Sequence, residues 1–188
     1  EDDIAGANAR TKQFRREAKS RRISALDNRA LFSDASFVRH WLYGPVDSER
    51  IFLQGHAFAL ENGDLEYAAH CLCLHHFCEV VAGGNLDDLS RMAEQFRRSM
   101  LRYRQDTLLI SVSGDFVARL RSRDGEGESL AATFQDRPDA ATARASFYIF
   151  QTQVQYFTGD FAGARESARR AERDLFATVG LPHMPQFM

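Results

Sequence analysis

The sequence is poor in the features of secreted and membrane-spanning proteins. It contains three cysteines, four prolines and one tryptophan, and no run of eighteen apolar residues. An odd number of closely spaced cysteines argues against a disulfide framework, so we expect free thiols and a cytoplasmic protein. The missing apolar run argues against a transmembrane helix. A formal net charge of −2 gives no overall attraction to nucleic acid or membranes, and we expect neither as a partner.

Signatures of catalysis are also missing. The sequence has no G-x-x-x-x-G-K-[ST] phosphate loop, no H-R-D or D-F-G kinase element, and no H-E-x-x-H or G-x-S-x-G motif. Gly125 and Gly127 lie among acidic residues that would repel phosphate. We therefore expect no enzymatic activity, no catalytic residues and no cofactor.

Helical periodicity dominates what is present, and the predicted fold class is all-α. The best strand candidate, residues 108–112, lies inside a longer helix-like stretch, and Pro45 is expected to break the chain after an apolar segment at 32–43. Helices are predicted at about 4–26, 48–62, 65–82, 86–103, 107–122, 140–158 and 161–179, with a short one at 130–135.

Short glycine-containing steps separate these predicted helices. Gly63-Asp64 and Gly159-Asp160 each combine a residue suited to ending a helix with one suited to capping the next. Gly84 followed by Asn85 repeats the arrangement. Turns this short predict that consecutive helices pack antiparallel.

Two segments resemble each other around these steps. Residues 57–68 (AFALENGDLEYA) and 152–164 (TQVQYFTGDFAGA) both read as helix, Gly-Asp, an apolar residue, then alanine three residues later. The pattern resembles the tetratricopeptide repeat, in which helix pairs of about 34 residues stack into a superhelix. The expected architecture is a divergent tetratricopeptide-like α-solenoid of antiparallel helix pairs.

A more specific resemblance covers residues 37–84 and continues weakly toward the end of the chain. Residues 37–41 (FVRHW) and 55–69 (GHAFALENGDLEYAA) are similar to the helical-repeat region of large bacterial signalling ATPases. That family joins a kinase-like domain, a STAND-type ATPase, helical repeats and a sensor or histidine-kinase output. The resemblance implies a non-catalytic scaffold that binds a protein or restrains the ATPase, any kinase or ATPase activity belonging to other parts. Because the chain begins with Glu1, we expect a piece of a larger protein.

The predicted domains are a basic N-terminal helix at 1–30 and a helical-repeat domain at 31–188. Residues 10–29 carry eight basic and two acidic side chains, a charge of 8 − 2 = +6. We interpret this segment as a solvated face complementing an acidic surface; nucleic-acid contact is the alternative, without the interleaved aromatics that would support it. Partners are expected to be another protein or other domains of the same chain, and exposed aromatic rings are expected to favour self-association.

The most reactive side chains are clustered in one predicted helix. Cys71, His75 and Cys78 recur at i, i+4 and i+7 and therefore share one helix face. Core packing is the first interpretation, since buried cysteine behaves as a small apolar residue. A zinc site is the second, although no fourth ligand is signalled by the spacing, and a cysteine–histidine nucleophile is the third. The alternative overall function is a small-ligand or metal sensor with a pocket between helices.

Two further groups have structural interpretations. In the His40-Trp41 pair, Trp41 is expected to anchor a helix into the neighbouring repeat together with Phe37. A ligand-stacking aromatic is the alternative. The aromatic-rich helix at 140–158 is expected to be apolar on more than one side and enclosed between layers. The charged residues of the last helix, which include Arg169 and Arg170, are expected to form a solvated face.

Overall fold

A computed structural model describes residues 25–122, 130–134, 137–179 and 181–183. Within these ranges the chain is all-α and forms no strand. Eight α-helices are assigned there: α1 Ala25–Asp34, α2 His40–Tyr43, α3 Pro45–Glu61, α4 Leu65–Val81, α5 Leu86–Arg102, α6 Leu108–Arg121, α7 Ala141–Phe157 and α8 Phe161–Glu172. A π-helical turn, Ala35–Arg39, joins α1 to α2, and 3-10 turns occupy Leu130–Phe134, Pro138–Ala140 and Leu175–Thr178.

Most predicted helix bounds agree with the structure to within three residues, and the strand candidate at 108–112 is the start of α6. The predicted helix at 161–179 was too long, because α8 ends at Glu172. The segment after it is bonded to α7 instead: Arg144 donates to both Asp174 carboxylate oxygens at 2.7 and 2.9 Å. The predicted helix at 4–26 lies almost entirely outside the described residues.

The expected break at Pro45 was misplaced by one residue. Pro45 begins α3, where its missing N–H costs nothing because the first helical residue has no carbonyl partner. The change of direction occurs at Gly44, whose φ of 96° lies in the left-handed region.

The Gly-Asp turns are confirmed and share one geometry. After α3, Gly63 has a φ of 72° and the Asp64 N–H donates to the Ala59 carbonyl at 2.8 Å. After α7, Gly159 has a φ of 83° and the Asp160 N–H donates to the Gln155 carbonyl, also at 2.8 Å. In each case the aspartate side chain accepts a backbone N–H of the next helix, as an N-cap does.

Two more helices end in the same way with different residues. Asn85 caps α5, as predicted, but the left-handed residue is Gly83, with a φ of 80°, and not Gly84. At the end of α5 the left-handed position is occupied by Arg104, with a φ of 57°. A side chain there is strained, because its Cβ crowds the backbone carbonyl oxygen.

The helices form three hairpins, α3/α4, α5/α6 and α7/α8, which pack mainly against hairpins adjacent in the chain. Helix α4 additionally contacts α6, and α1 contacts α3. Arg29, at the end of the basic segment, bonds to Asp64 at 3.0 Å and lies over the Tyr67 ring, which fixes α1 to the α3/α4 turn.

The aromatic helix α7 is enclosed along only part of its length. Phe147 and Phe150 are buried, and the Phe150 ring stacks on that of Phe116 with centroids 4.3 Å apart. Tyr156 and Phe157, at the far end of the helix, are exposed. In the described part of the chain, no helix combines the length and the apolar character needed to cross a membrane.

The strained turn after α5 predicts a stabilising substitution. Replacing Arg104 with glycine removes the steric penalty of about 1–2 kcal/mol. Glycine also makes the unfolded chain more flexible, which raises the entropic cost of folding by roughly 0.5–1 kcal/mol. We expect the free energy of unfolding of Arg104→Gly to rise by up to about 1 kcal/mol, as measured by urea denaturation.

The matched control is Gly159→Ala, at the equivalent position of the α7/α8 turn. An added Cβ there meets no atom within 4 Å, so only backbone strain is introduced. We expect this variant to be about 1 kcal/mol less stable than the original protein. The two substitutions are expected to change the free energy of unfolding in opposite directions. A change of the same sign and size in both variants would contradict a shared turn geometry.

Candidate functional site

Helix α4 carries all three cysteines and three of the histidines, and the middle of the helix is enclosed by its neighbours. Every residue from 71 to 78 is buried. Chemically useful groups in this stretch are therefore positioned by tertiary packing, and their neighbours decide what each can do.

The three thiols lie in apolar surroundings on two sides of α4. Cys71 and Cys78 belong to a core cluster with Phe52 of α3, whereas Cys73 lies 3.8 Å from the Met100 sulfur of α5. Burial raises the pKa of each thiol to about 12. The thiols are protonated at neutral pH, which disfavours both metal coordination and nucleophilic attack at these positions.

His76 is fully buried and has a partner at each ring nitrogen. Its Nε2 lies 3.0 Å from the Leu89 carbonyl oxygen and its Nδ1 lies 2.9 Å from the Ser113 hydroxyl. The carbonyl can only accept, so Nε2 carries the proton in the neutral ring. Burial lowers the pKa of His76 to about 4 and keeps the ring neutral. His76 thus bridges α4 to α5 and α6.

His75, the residue before His76, lies beside the Phe96 ring of α5, with centroids 5.8 Å apart, and also meets two carboxylates. Glu79 lies one turn further along α4, and Glu49 lies near the start of α3. One potential ligand atom from each of Glu49, His75 and Glu79 lies within 4.8 Å of the others. We call these three side chains the carboxylate–histidine cluster.

The electrostatics of the carboxylate–histidine cluster reflect partial removal from water. Burial, followed by the neighbouring Glu49 carboxylate, raises the pKa of Glu79. Burial lowers the pKa of His75, an effect that the Glu49 charge partly offsets. Two half-buried carboxylates beside a neutral imidazole are a donor set suited to a divalent cation.

This cluster differs from the set that the sequence suggested. Among Cys71, His75 and Cys78, only His75 belongs to a group of three potential ligands in the described chain, and the two thiols lie in the core. The spacing of His75 and Glu79 was visible in the sequence as an i, i+4 pair. Glu49 carried no such signal, because it belongs to another helix and reaches the site only when α3 packs on α4.

A second feature is an open cleft of about 480 Å³ on the other side of α4. It is lined by the π-helical turn, α4, the α5/α6 connection and the start of α7. Leu74, Met100 and Leu109 contribute apolar surface. Ser36, in the π-helical turn, is 2% exposed, and its hydroxyl has no hydrogen-bond partner. We call this feature the central cleft.

Charged side chains surround the central cleft. Arg137 bonds to Asp106 at 2.8 Å and to Asp139 at 2.7 Å, and these contacts raise the pKa of Arg137 and lower that of Asp139. Glu66 lies 3.8 Å from His70 on the exposed side of α4. One arginine against three carboxylates leaves the rim with an excess of negative charge.

The other residues singled out in the sequence lie outside the described residues or, Phe37 apart, away from both features. The side chains of His40 and Trp41 lie outside the described residues. Phe37, which was expected to anchor a helix with Trp41, is 56% exposed and lines the central cleft. On α8, Glu166 pairs with Arg169 at 2.5 Å and with Arg170 at 3.0 Å on the exposed face, as predicted for a solvated helix surface. Asp174 does not belong to that face, because it is held by Arg144 of α7.

Comparison with known proteins adds no assignment to either feature. No protein-family model, curated protein or solved structure matches the chain. The geometry of the central cleft and the carboxylate–histidine cluster therefore carries the functional inference.

The buried thiols predict slow modification. A pKa of about 12 lowers the thiolate fraction of each cysteine by a factor of roughly a thousand at neutral pH, and burial blocks access as well. We expect Ellman's reagent to modify none of the three thiols rapidly in the folded protein and all three in guanidinium chloride. Rapid modification of one thiol in the folded state would contradict the burial of that cysteine between α4 and its neighbouring helices.

The buried His76 predicts acid sensitivity with a definite sign. In the unfolded chain a histidine takes up a proton near pH 6.5, whereas folded His76 does so only near pH 4. Between these values the unfolded state binds more protons, so the free energy of unfolding falls as the pH falls, by up to about 1.4 kcal/mol per pH unit.

A His76→Gln variant isolates this contribution. Glutamine retains an N–H donor for the Leu89 carbonyl but does not titrate. We expect the original protein to be the more stable at pH 7, and the stability difference to shrink between pH 6.5 and 4 in parallel urea titrations. A difference independent of pH would contradict the buried neutral ring.

Proposed function

We propose that this chain is a non-catalytic helical-repeat scaffold, a divergent tetratricopeptide-like α-solenoid, within a bacterial signalling protein. Its role is to bind a protein segment, from a partner or from another domain of the same protein, in the central cleft. The observation that carries the proposal is that cleft, about 480 Å³ between packed helices, with an apolar floor and an acidic rim.

Repetition of the hairpin unit supports the scaffold architecture. The α3/α4 and α7/α8 hairpins end and begin with matching hydrogen bonds, including the same N-cap aspartate. Contacts concentrate between helices that are neighbours in the chain, as they do in stacked repeats. Such an architecture creates concave surfaces between hairpins, where repeat proteins hold their ligands.

The chemistry of the central cleft indicates what kind of segment it accepts. Leu74, Met100 and Leu109 offer contacts to one apolar anchor side chain. Glu66 at the rim is exposed, and Asp106 and Asp139 share a single arginine, so a basic residue beside the anchor is favoured. Ser36 lines the cleft with an unpartnered hydroxyl, and we expect this hydroxyl to donate to a backbone carbonyl of the bound segment.

The same cleft supports a second candidate function, a small-ligand sensor. Its volume falls in the range of about 300–1,000 Å³ typical of ligand pockets. The buried Ser36 hydroxyl lies in a π-helical turn, a local distortion often found at functional sites. A bound small molecule would satisfy that hydroxyl in the way a peptide carbonyl would.

A peptide-display selection tests the scaffold function. The immobilised chain is panned with a random peptide library, and selected peptides are measured by fluorescence polarisation. We expect enrichment of peptides with an apolar residue beside Lys or Arg. Glu66→Lys, which reverses an exposed rim charge, is expected to weaken their binding at least tenfold, a loss of about 1.4 kcal/mol.

Controls separate the central cleft from the rest of the surface. Phe37→Ala removes an exposed cleft-lining ring and should also weaken binding, whereas Phe176→Ala, at a 91% exposed ring outside the cleft, should not. Peptides that bind all variants equally would place the interaction elsewhere. If no peptide is selected, and a small-molecule library raises the thermal midpoint of the original protein but not of Ser36→Ala, the sensor function is favoured.

A further inference from the structure

The carboxylate–histidine cluster is separate from the central cleft, because none of its three residues lines that cleft. His75 and Glu79 project from one face of α4, and Glu49 approaches them from α3, the other helix of the same hairpin. The antiparallel arrangement of the hairpin places the start of α3 beside the end of α4. The three side chains therefore meet only in the folded chain.

His75 supplies an observation independent of the acidic residues. Its side chain is buried, with 4% of the residue exposed. The ring bonds to the Glu49 backbone, but its Nδ1 atom has no hydrogen-bond partner. A buried polar atom without a partner costs about 1–3 kcal/mol, so such atoms are few in folded proteins. A ligand accepting the lone pair of a neutral imidazole removes this cost, and a metal ion is such a ligand.

The two glutamates supply the charge and the access that an ion requires. Glu49 and Glu79 are both half-buried and close enough to share a hydrogen bond. Within the described residues, neither forms a salt bridge with an arginine or lysine. Two carboxylates in such a position repel each other unless a proton or a cation lies between them. Their partial exposure leaves a path from solvent to the site.

We propose that Glu49, His75 and Glu79 bind a divalent transition-metal ion of the zinc type, which joins α3 to α4. One imidazole and two carboxylates match the mixed nitrogen and oxygen donors that Zn²⁺ accepts, with water completing the coordination. Ligand atoms around one zinc ion lie about 3.4 Å apart, given bonds of about 2.1 Å, so small rotations of the glutamate side chains close the cluster. Hard cations such as Mg²⁺ select all-oxygen sites and are expected to bind weakly.

The test is equilibrium dialysis of the full 188-residue chain, stripped with a chelator, against Zn²⁺ at neutral pH with a non-thiol reductant. We expect one zinc ion per chain and no comparable uptake of Mg²⁺. Glu49→Gln and Glu79→Gln should each weaken zinc binding at least about 100-fold, since even outer-shell partners of a metal contribute about 10–100-fold. Glutamine resembles the protonated acid in size, so both variants should fold.

Two controls make the result specific to this cluster. Glu66→Gln changes an exposed glutamate that also has a histidine, His70, four residues away. No third ligand among the described residues joins this pair, so the variant should leave zinc binding unchanged. Cys78→Ala removes the nearest alternative zinc ligand suggested by the sequence and should also leave it unchanged. In parallel, zinc should raise the thermal midpoint of the original protein and both controls, and not that of the two cluster variants.

Three results would overturn the proposal. The first is no zinc uptake by the stripped protein. The second is loss of zinc binding in Cys78→Ala with retention in both cluster variants, which would assign the metal to the thiols. The third is a loss of zinc binding in Glu66→Gln equal to that in the cluster variants, which would show that zinc binds non-specifically to surface carboxylates. None of these results bears on peptide binding in the central cleft, so the two proposals stand or fall separately.

Discussion

The enclosure of α4 is the constraint on which the rest of the structure depends. Residues 71–78 are buried on every side of the helix, so α3, α5 and α6 must each cover a different face. A helix buried all round cannot leave a polar group unsatisfied without cost, and His76 meets that condition by bonding to the Leu89 carbonyl and the Ser113 hydroxyl. These two bonds fix the rotation of α4 against α5 and α6.

Once α4 is fixed, its polar side chains are divided between two regions. His75 and Glu79 point toward α3, where they meet Glu49, and Glu66 and His70 point toward the central cleft. Gly55 lets α3 approach α4 closely, because a Cβ at this position would lie only 3.0 Å from the Cys71 sulfur. The second region stays open because a π-helical turn, a connection and the start of α7 border it in place of a fourth packed helix. The proposed metal site and the proposed peptide-binding cleft are therefore compatible on one helix.

The helix bounds were predictable because helix ends are set by local chemistry. Gly63 and Gly159 adopt the left-handed conformation at little cost, and the aspartates that follow them cap the next helix within three residues. The turn after α5 was harder to identify, because its left-handed residue is Arg104, which carries no turn signal. The end of α8 was misjudged for a different reason: Arg144, thirty residues earlier, holds Asp174 out of the helix.

By itself the sequence determined the helical class, the positions of most helices and the hairpin connections, since each depends on contacts within a few residues. It also identified α4 as the helix richest in reactive side chains. Only the tertiary structure decided which of those side chains meet. His75 finds Glu49, twenty-six residues away, rather than the cysteines on its own helix, and the buried Ser36 hydroxyl comes to line a cleft formed by distant segments. Helical spacing places residues on a face, but only the packing of one helix on another determines what that face touches.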